Sequence, residues 1–128
     1  MFLPARRASL GILAALLARA KRDSAVPIAY ADVWAFWLRH AGVLREHVDV
    51  VAAHVLPYWE NFTDAQAVDQ AVDRYQLLRN KFPGKRVVIA EFGWPSAGYN
   101  LLNAIPGPFE QASVLRNFVT RAEAIGMD

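Results

Sequence analysis

Arg86 to Tyr99, RVVIAEFGWPSAGY, is the stretch that decides the fold. Val87, Val88, Ile89 and Ala90 run without a polar break, the pattern of a parallel strand covered on both faces rather than a half-exposed antiparallel one. Glu91 closes the run, and Gly93 and Pro95 stop the strand directly behind it. Trp94 and Tyr99 then stand in the following loop, where binding side chains concentrate and polysaccharide-binding aromatic surfaces are commonly built. A strand that delivers a carboxylate next to aromatic side chains predicts that the chemistry of the chain sits at this end.

Working outward, Val48 to Leu56, VDVVAAHVL, reads as a second strand, stopped by Pro57 and followed at once by Tyr58, Trp59, Glu60 and Asn61. Val26 to Asp32 reads as a shorter strand. Between the second and third strands, Ala67, Val68, Ala71, Val72, Tyr75, Leu78 and Phe82 recur at helical spacing, predicting an amphipathic helix from Asp64 to Lys81 with Asp64 as its cap and Pro83-Gly84 as its stop. Ala31 to His40 reads as a loop turning into a short helix that ends near Ala41-Gly42 and carries Trp34, Phe36 and Trp37 as core aromatics. Phe109 to Ile125 reads as a last helix ended by Gly126. At the start, Leu10, Leu13, Ala14 and Leu17 predict a helix from Ser9 to Arg22, capped by Ser9. Met1 to Ala20 also reads as a signal peptide, with a basic start, a short apolar run and an Ala-x-Ala end. It is too short to span a membrane.

Strands and helices in alternation mean βαβ units and a parallel sheet. An open doubly wound sheet satisfies the same order, but no Gly-rich phosphate loop follows any strand. A β/α barrel gathers the residues behind each strand at one face, bringing Asp32, His54, Tyr58, Trp59 and Glu91 together, and so explains more.

The segment EFGWPS, Glu91 to Ser96, resembles the nucleophile motif of glycoside hydrolase family 17, the β-1,3-glucanases and related β-glucan hydrolases and transglycosylases. Val26 to Trp34 resembles the segment that follows the fourth helix in that family, which favours the helical reading of the N-terminal stretch. The resemblance implies an α/β fold, a (β/α)8 TIM barrel of which this chain carries about helix 4 to helix 7. Residues 1–128 are then one partial domain without the N-terminal half and the last strand, since a whole barrel takes about 250 residues. It also implies Glu91 as the nucleophile of a retaining glycosidase acting on a β-glucan polysaccharide or oligosaccharide, with no cofactor. The family's acid/base Glu lies in an Asn-Glu motif, and none occurs here. The family context implies an extracytoplasmic or membrane-associated setting.

Around Glu91, Tyr58 and Trp59 offer flat faces for glucose rings, and the Tyr58 hydroxyl a hydrogen bond to sugar or to Glu91. Their alternative is packing beneath the loop. Trp94 stacks on sugar, braces the turn, or does both. Asp32 binds a sugar hydroxyl or caps a helix. His54 is a core histidine or a contact to the site.

The remaining composition excludes more than it suggests. The 128 residues are 55% hydrophobic and 20% charged, a globular balance with room for one core. A net charge of +2 spread over scattered Lys and Arg gives no nucleic-acid-binding surface. There is no Cys, and His40, His47 and His54 are not at zinc-ligand spacing, so no metal site is expected. Asn61-Phe62-Thr63 matches the glycosylation sequon, too short a pattern to argue from. Two rival readings remain: a non-catalytic glucan-binding remnant, and a half-barrel whose open strand edges drive self-association or pairing with another chain.

Overall fold

The computed structural model describes residues 3–128. Its elements are α1 (Leu3–Asp23), β1 (Ala29–Val33), α2 (Trp34–Leu44), a 3-10 turn at Arg45–His47, β2 (Val50–Val55), α3 (Asp64–Lys81), β3 (Arg86–Phe92) and α4 (Pro108–Ile125). The strands form one parallel sheet in the order β1-β2-β3. Sequential neighbours joined through helices are what right-handed βαβ units produce.

The main core lies on one face of this sheet. Leu17 of α1, Trp37, Ala41 and Leu44 of α2, and Tyr75, Leu78 and Phe82 around α3 pack with Val51, Ala53 and Val87 of the strands. All three helices use the same sheet face, whereas a doubly wound sheet covers both. The Trp37 ring has no exposed surface, and its indole N–H donates to the Ala52 carbonyl at 2.8 Å, so the one polar atom of a large core side chain is satisfied. α1 is pinned from outside. Asp49 accepts from the Ile28 N–H at 2.8 Å and pairs with Lys21 at 3.2 Å, and these contacts hold its carboxyl below the usual range.

The other sheet face is the barrel interior, and the register sorts its side chains into layers. Ala29, Val50 and Arg86 stand in one row, Ala31, Ala52 and Val88 in the next, and Val33, His54 and Glu91 in the last. The last row exists because β3 has a bulge. Ile89 pairs with Ala53 and Glu91 with His54, leaving Ala90 as the extra residue. Strict alternation after Val87 and Ile89 turns Glu91 toward the helices; the bulge turns it to the interior instead.

Several sequence expectations need correction. β3 is covered on one face only: Val87 is buried beneath the helices, while Ala90 and Glu91 are exposed. Only the central strand, with neighbours on both sides, is buried for most of its length. The first helix starts at Leu3, so Ser9 lies inside it and is not its cap. The signal-peptide reading begins at Met1 and Phe2, which lie outside the described residues, and the rest of its span is helical. No helix among the described residues is long and apolar enough to cross a membrane. Helix α2 runs through Ala41-Gly42 to Leu44 with a kink at His40, because Ala41 and Leu44 are core residues that reward its continuation. α3 is capped by Thr63, not Asp64: the Thr63 hydroxyl accepts from the Gln66 N–H, and the Gln66 side chain accepts from the Thr63 N–H. The expected stop at Pro83-Gly84 holds, with Gly84 at φ 79°. Behind α4, Asp128 lies along β3, its carbonyl accepting from the Ile89 N–H at 2.8 Å and its side chain pairing with Arg86 at 3.0 Å.

Candidate active site

The site is built at the carboxyl ends of β2 and β3, where barrel chemistry is placed. Glu91 enters it from the last interior row with its side chain about half exposed, 55%, and His54 stands beside it at 3.5 Å from Nδ1 to Oε2. This distance is longer than a good hydrogen bond and makes an ion pair only when the imidazole is protonated. His54 is 30% exposed and lines a pocket, so it is not the core histidine that its apolar strand suggests.

Two loops roof this end, residues 56–63 behind β2 and residues 93–107 behind β3. Tyr58 is 4% exposed and Trp94 3%, and their rings meet edge to face at 5.4 Å. With Ala67, Ala104 and Val114 they form a second, smaller core. The Tyr58 hydroxyl donates to the Tyr99 carbonyl, which corrects the expectation that it reaches sugar or Glu91. Trp94 braces the turn: its indole N–H donates to the Ile105 carbonyl at 3.0 Å, and its own carbonyl accepts from Gln111 of α4 at 2.8 Å. Asn61 joins the two loops. It occupies the left-handed region at φ 63°, and its side-chain oxygen accepts from the Asn103 and Ala104 N–H groups at 2.7 and 3.2 Å. The sequon residues thus serve the fold, Asn61 as a clamp and Thr63 as a helix cap.

Trp59 differs from its neighbours in being 71% exposed. On one side it borders a pocket of about 330 Å³ lined by Val33, Trp34, His54, Leu56 and Glu60. On the other it borders one of about 180 Å³ with Tyr58, Gly93, Trp94 and Pro95. A larger depression of about 420 Å³ lies between α1 and α2, lined by Leu13, Tyr30 and His40 among others. It shares no residue with the site, and its size carries less weight than the carboxylate and aromatics at the strand ends.

Three further residues stand at the site; sequence reasoning singled out Glu60 and Trp34 without assigning them to it, and missed Arg74. The Trp34 indole N–H donates to Glu60 at 3.2 Å, Arg74 pairs with the other Glu60 oxygen at 3.8 Å, and the Arg74 guanidinium lies 4.1 Å from the Trp34 ring centroid. Trp34 is therefore a wall of the pocket, while Trp37 is the core aromatic. The rule that residues behind strands share one face covers Trp34 and Glu60; nothing in the sequence singles out Arg74 on α3. Asp32 is not with Glu91. Its register partner is Ala53, on the helix face, and it accepts from the Tyr30 hydroxyl at 2.8 Å and the Val33 N–H at 2.7 Å. The N-cap of α2 is Val33, with no side-chain capping bond, so Asp32 does not cap that helix. Among the described residues no group of three or more His, Cys, Asp or Glu side chains is arranged to hold a metal ion.

A parallel strand set with its helices on one face, and a Glu and aromatic side chains at the strand ends, places this chain among the α/β barrels. Its similarities agree. A crystal structure of a glycoside hydrolase family 17 β-1,3-glucanosyltransferase from Rhizomucor miehei superposes with a TM-score of 0.80 at 26% identity, covering 94% of this chain and 44% of that one. An active-site mutant of the same enzyme in complex with laminaritriose superposes at 0.85 with 25% identity, covering 93% and 45%. The probable beta-glucosidase btgE of Emericella nidulans is 31% identical over 86 residues, 66% of this chain and 16% of that protein. The protein of the same name from Aspergillus fumigatus is 33% identical over 82 residues, 63% of this chain and 14% of its own length. Residues 10–127 match the BtgE/BtgC glycoside hydrolase domain, and the chain belongs to that family. It spans less than half of the solved structures and about a sixth or less of the fungal relatives.

Proposed function

We propose that this chain is the nucleophile-bearing part of a retaining β-glucan hydrolase or transglycosylase, with Glu91 as the nucleophile. The observation that carries the reading is the position of Glu91: interior row, carboxyl end of a strand, half exposed, in a chain of a glycoside hydrolase family. In this chemistry the Glu91 carboxylate attacks the anomeric carbon while the bond to the leaving oxygen breaks, giving a glycosyl ester. Water or a sugar hydroxyl then resolves that ester. A rigid strand end keeps the attacking oxygen in place.

The mechanism also needs an acid/base carboxyl about 5 to 5.5 Å from the first. The other acidic side chains at this end are engaged elsewhere, Asp32 with Tyr30 on the helix face and Glu60 with Trp34 and Arg74. We therefore read residues 1–128 as one partial domain, about helix 4 to helix 7 of a barrel, whose acid/base comes from an added segment. The exposed face of Trp59 and the Trp34–Glu60 wall suit the C–H face and hydroxyls of a glucosyl ring. Trp94 contributes a brace and a pocket edge.

The test is reducing-sugar release from laminarin by three folded proteins: the chain itself, the chain extended by a segment supplying an Asn-Glu strand, and the extended chain with Glu91→Gln. Turnover by the extended protein, lost on Glu91→Gln, is the expected result. A folded extended protein that binds laminarin without turning it over replaces this reading with that of a glucan-binding remnant. β1 keeps one open backbone edge, the feature on which the self-association reading rests, and sedimentation velocity measures it directly.

A further inference from the structure

We infer that His54 is a positioning residue for Glu91: its Nδ1 edge holds the carboxylate in a single orientation. Little else in the sheet can orient Glu91. Its row neighbours are Val33 and His54, the row below holds Val88, Ala52 and Ala31, and the extra residue is Ala90. None but His54 carries a polar side chain. Among the described residues, the 3.5 Å approach of His54 Nδ1 to Oε2 is the one polar side-chain contact that Glu91 makes. The same holds in reverse. His54 sits in a strand whose other residues are all Val or Ala, and among the described residues the imidazole has no other side-chain or backbone hydrogen-bond partner.

A half-exposed Glu has several rotamers of similar energy, and fixing one of them costs conformational entropy. A nucleophile held in one rotamer meets the anomeric carbon without that cost at the moment of reaction. A donor on one carboxylate oxygen fixes the rotamer and leaves the other oxygen free to attack. Nδ1 serves as that donor in both the Nδ1–H neutral tautomer and the imidazolium. The β3 bulge supports the pairing, since without the extra residue in the ladder it is Ala90, not Glu91, that falls opposite His54. His54 also lines the 330 Å³ pocket, together with Trp34, Trp59 and Glu60.

The inference rests on Glu91 being the nucleophile, and its primary test does not depend on turnover. Nitrogen-15 NMR of the imidazoles in the 128-residue chain reports the tautomer of His40, His47 and His54 separately. The expected result is protonated Nδ1 at His54 at neutral pH, with a tautomer balance that shifts toward Nε2–H in Glu91→Gln. His40 and His47 stay unchanged and show that the variant is folded. An Nε2–H tautomer at His54 that ignores Glu91→Gln overturns the inference, whatever laminarin turnover shows. In the extended protein, His54→Ala lowers kcat at least tenfold with little change in KM. His54→Asn, whose amide nitrogen lies where Nδ1 does, recovers most of the loss. Equal losses for Ala and Asn, or a loss confined to KM, assign His54 to packing or to sugar binding instead.

Discussion

Tyr58→Phe separates a loop clamp from a substrate contact at a single atom. The ring stays, so its edge-to-face contacts with Trp94 at 5.4 Å and Trp59 at 5.0 Å persist, and only the bond to the Tyr99 carbonyl is lost. A neutral hydrogen bond contributes about 0.5–1.5 kcal/mol net. Tyr99 is itself 90% exposed, so water reaches the freed carbonyl and the loss belongs at the lower end, about 0.5–1 kcal/mol. Tyr58→Ala also empties the centre of the smaller core and costs about 3–5 kcal/mol. Urea unfolding followed by tryptophan fluorescence measures both, and laminaritriose titration of the same samples measures binding. The clamp reading expects a small stability loss for Phe, a large one for Ala, and sugar affinity within about threefold for Phe. Undiminished stability in Tyr58→Phe together with abolished sugar binding refutes it, and returns the hydroxyl to the substrate.

Thr63→Ala removes the hydroxyl half of the capping box and lowers stability by about 1 kcal/mol in urea unfolding, with Thr63→Ser recovering most of it. Asn61→Gly keeps the backbone angle but loses both loop bonds, so limited proteolysis cuts residues 99–105 faster. Asn61→Ala adds a left-handed strain of about 1 kcal/mol and is the less stable of the two. Tyr30 is pushed from its ordinary value of 10.0 up to about 12 by burial, by its bond to Asp32 and by the Asp32 charge. A folded value above the unfolded one means that the contribution is complete below pH 10 and is lost as pH rises toward 12. Unfolding at a series of pH values shows the advantage of wild type over Tyr30→Phe shrinking across that window, by no more than about 2 kcal/mol for a partly exposed group.

The architecture was legible because its signals are local. The apolar runs before Pro57 and Gly93 mark strands, and the 3.6-residue recurrence from Ala67 to Phe82 marks α3 with both bounds as observed. Element ends were less legible where two neighbours compete: Thr63 and Asp64 are both good caps, and only the reciprocal bond to Gln66 decides between them. At the site, the motif drew attention to Glu91 and Trp94 and the end of the second strand to Tyr58 and Trp59, yet their exposures run from 3% to 71%, a difference that sequence does not carry. Burial depends on what covers a ring, and for Tyr58 and Trp94 that cover is each other, across 36 residues of chain. Asp32 and His54 were grouped by strand position alone. Pleating sends them to opposite sheet faces, which period-two counting within each strand cannot reveal until the register between strands is known.

The unpaired Ala90 also bears on how this strand is compared across lineages. A bulge-free relative presents the same carboxylate opposite the same neighbour with one residue fewer, because Glu91 and Phe92 keep their partners when the extra residue is removed. Ungapped alignment to such a relative shifts every position upstream of Glu91 by one and exchanges interior with helix-facing side chains. Substitutions at Val87 and Val88 would then be scored against the wrong environment. The gap belongs at Ala90, and placing it there makes the spacing from Arg86 to Glu91 a lineage marker rather than a sign of lost chemistry.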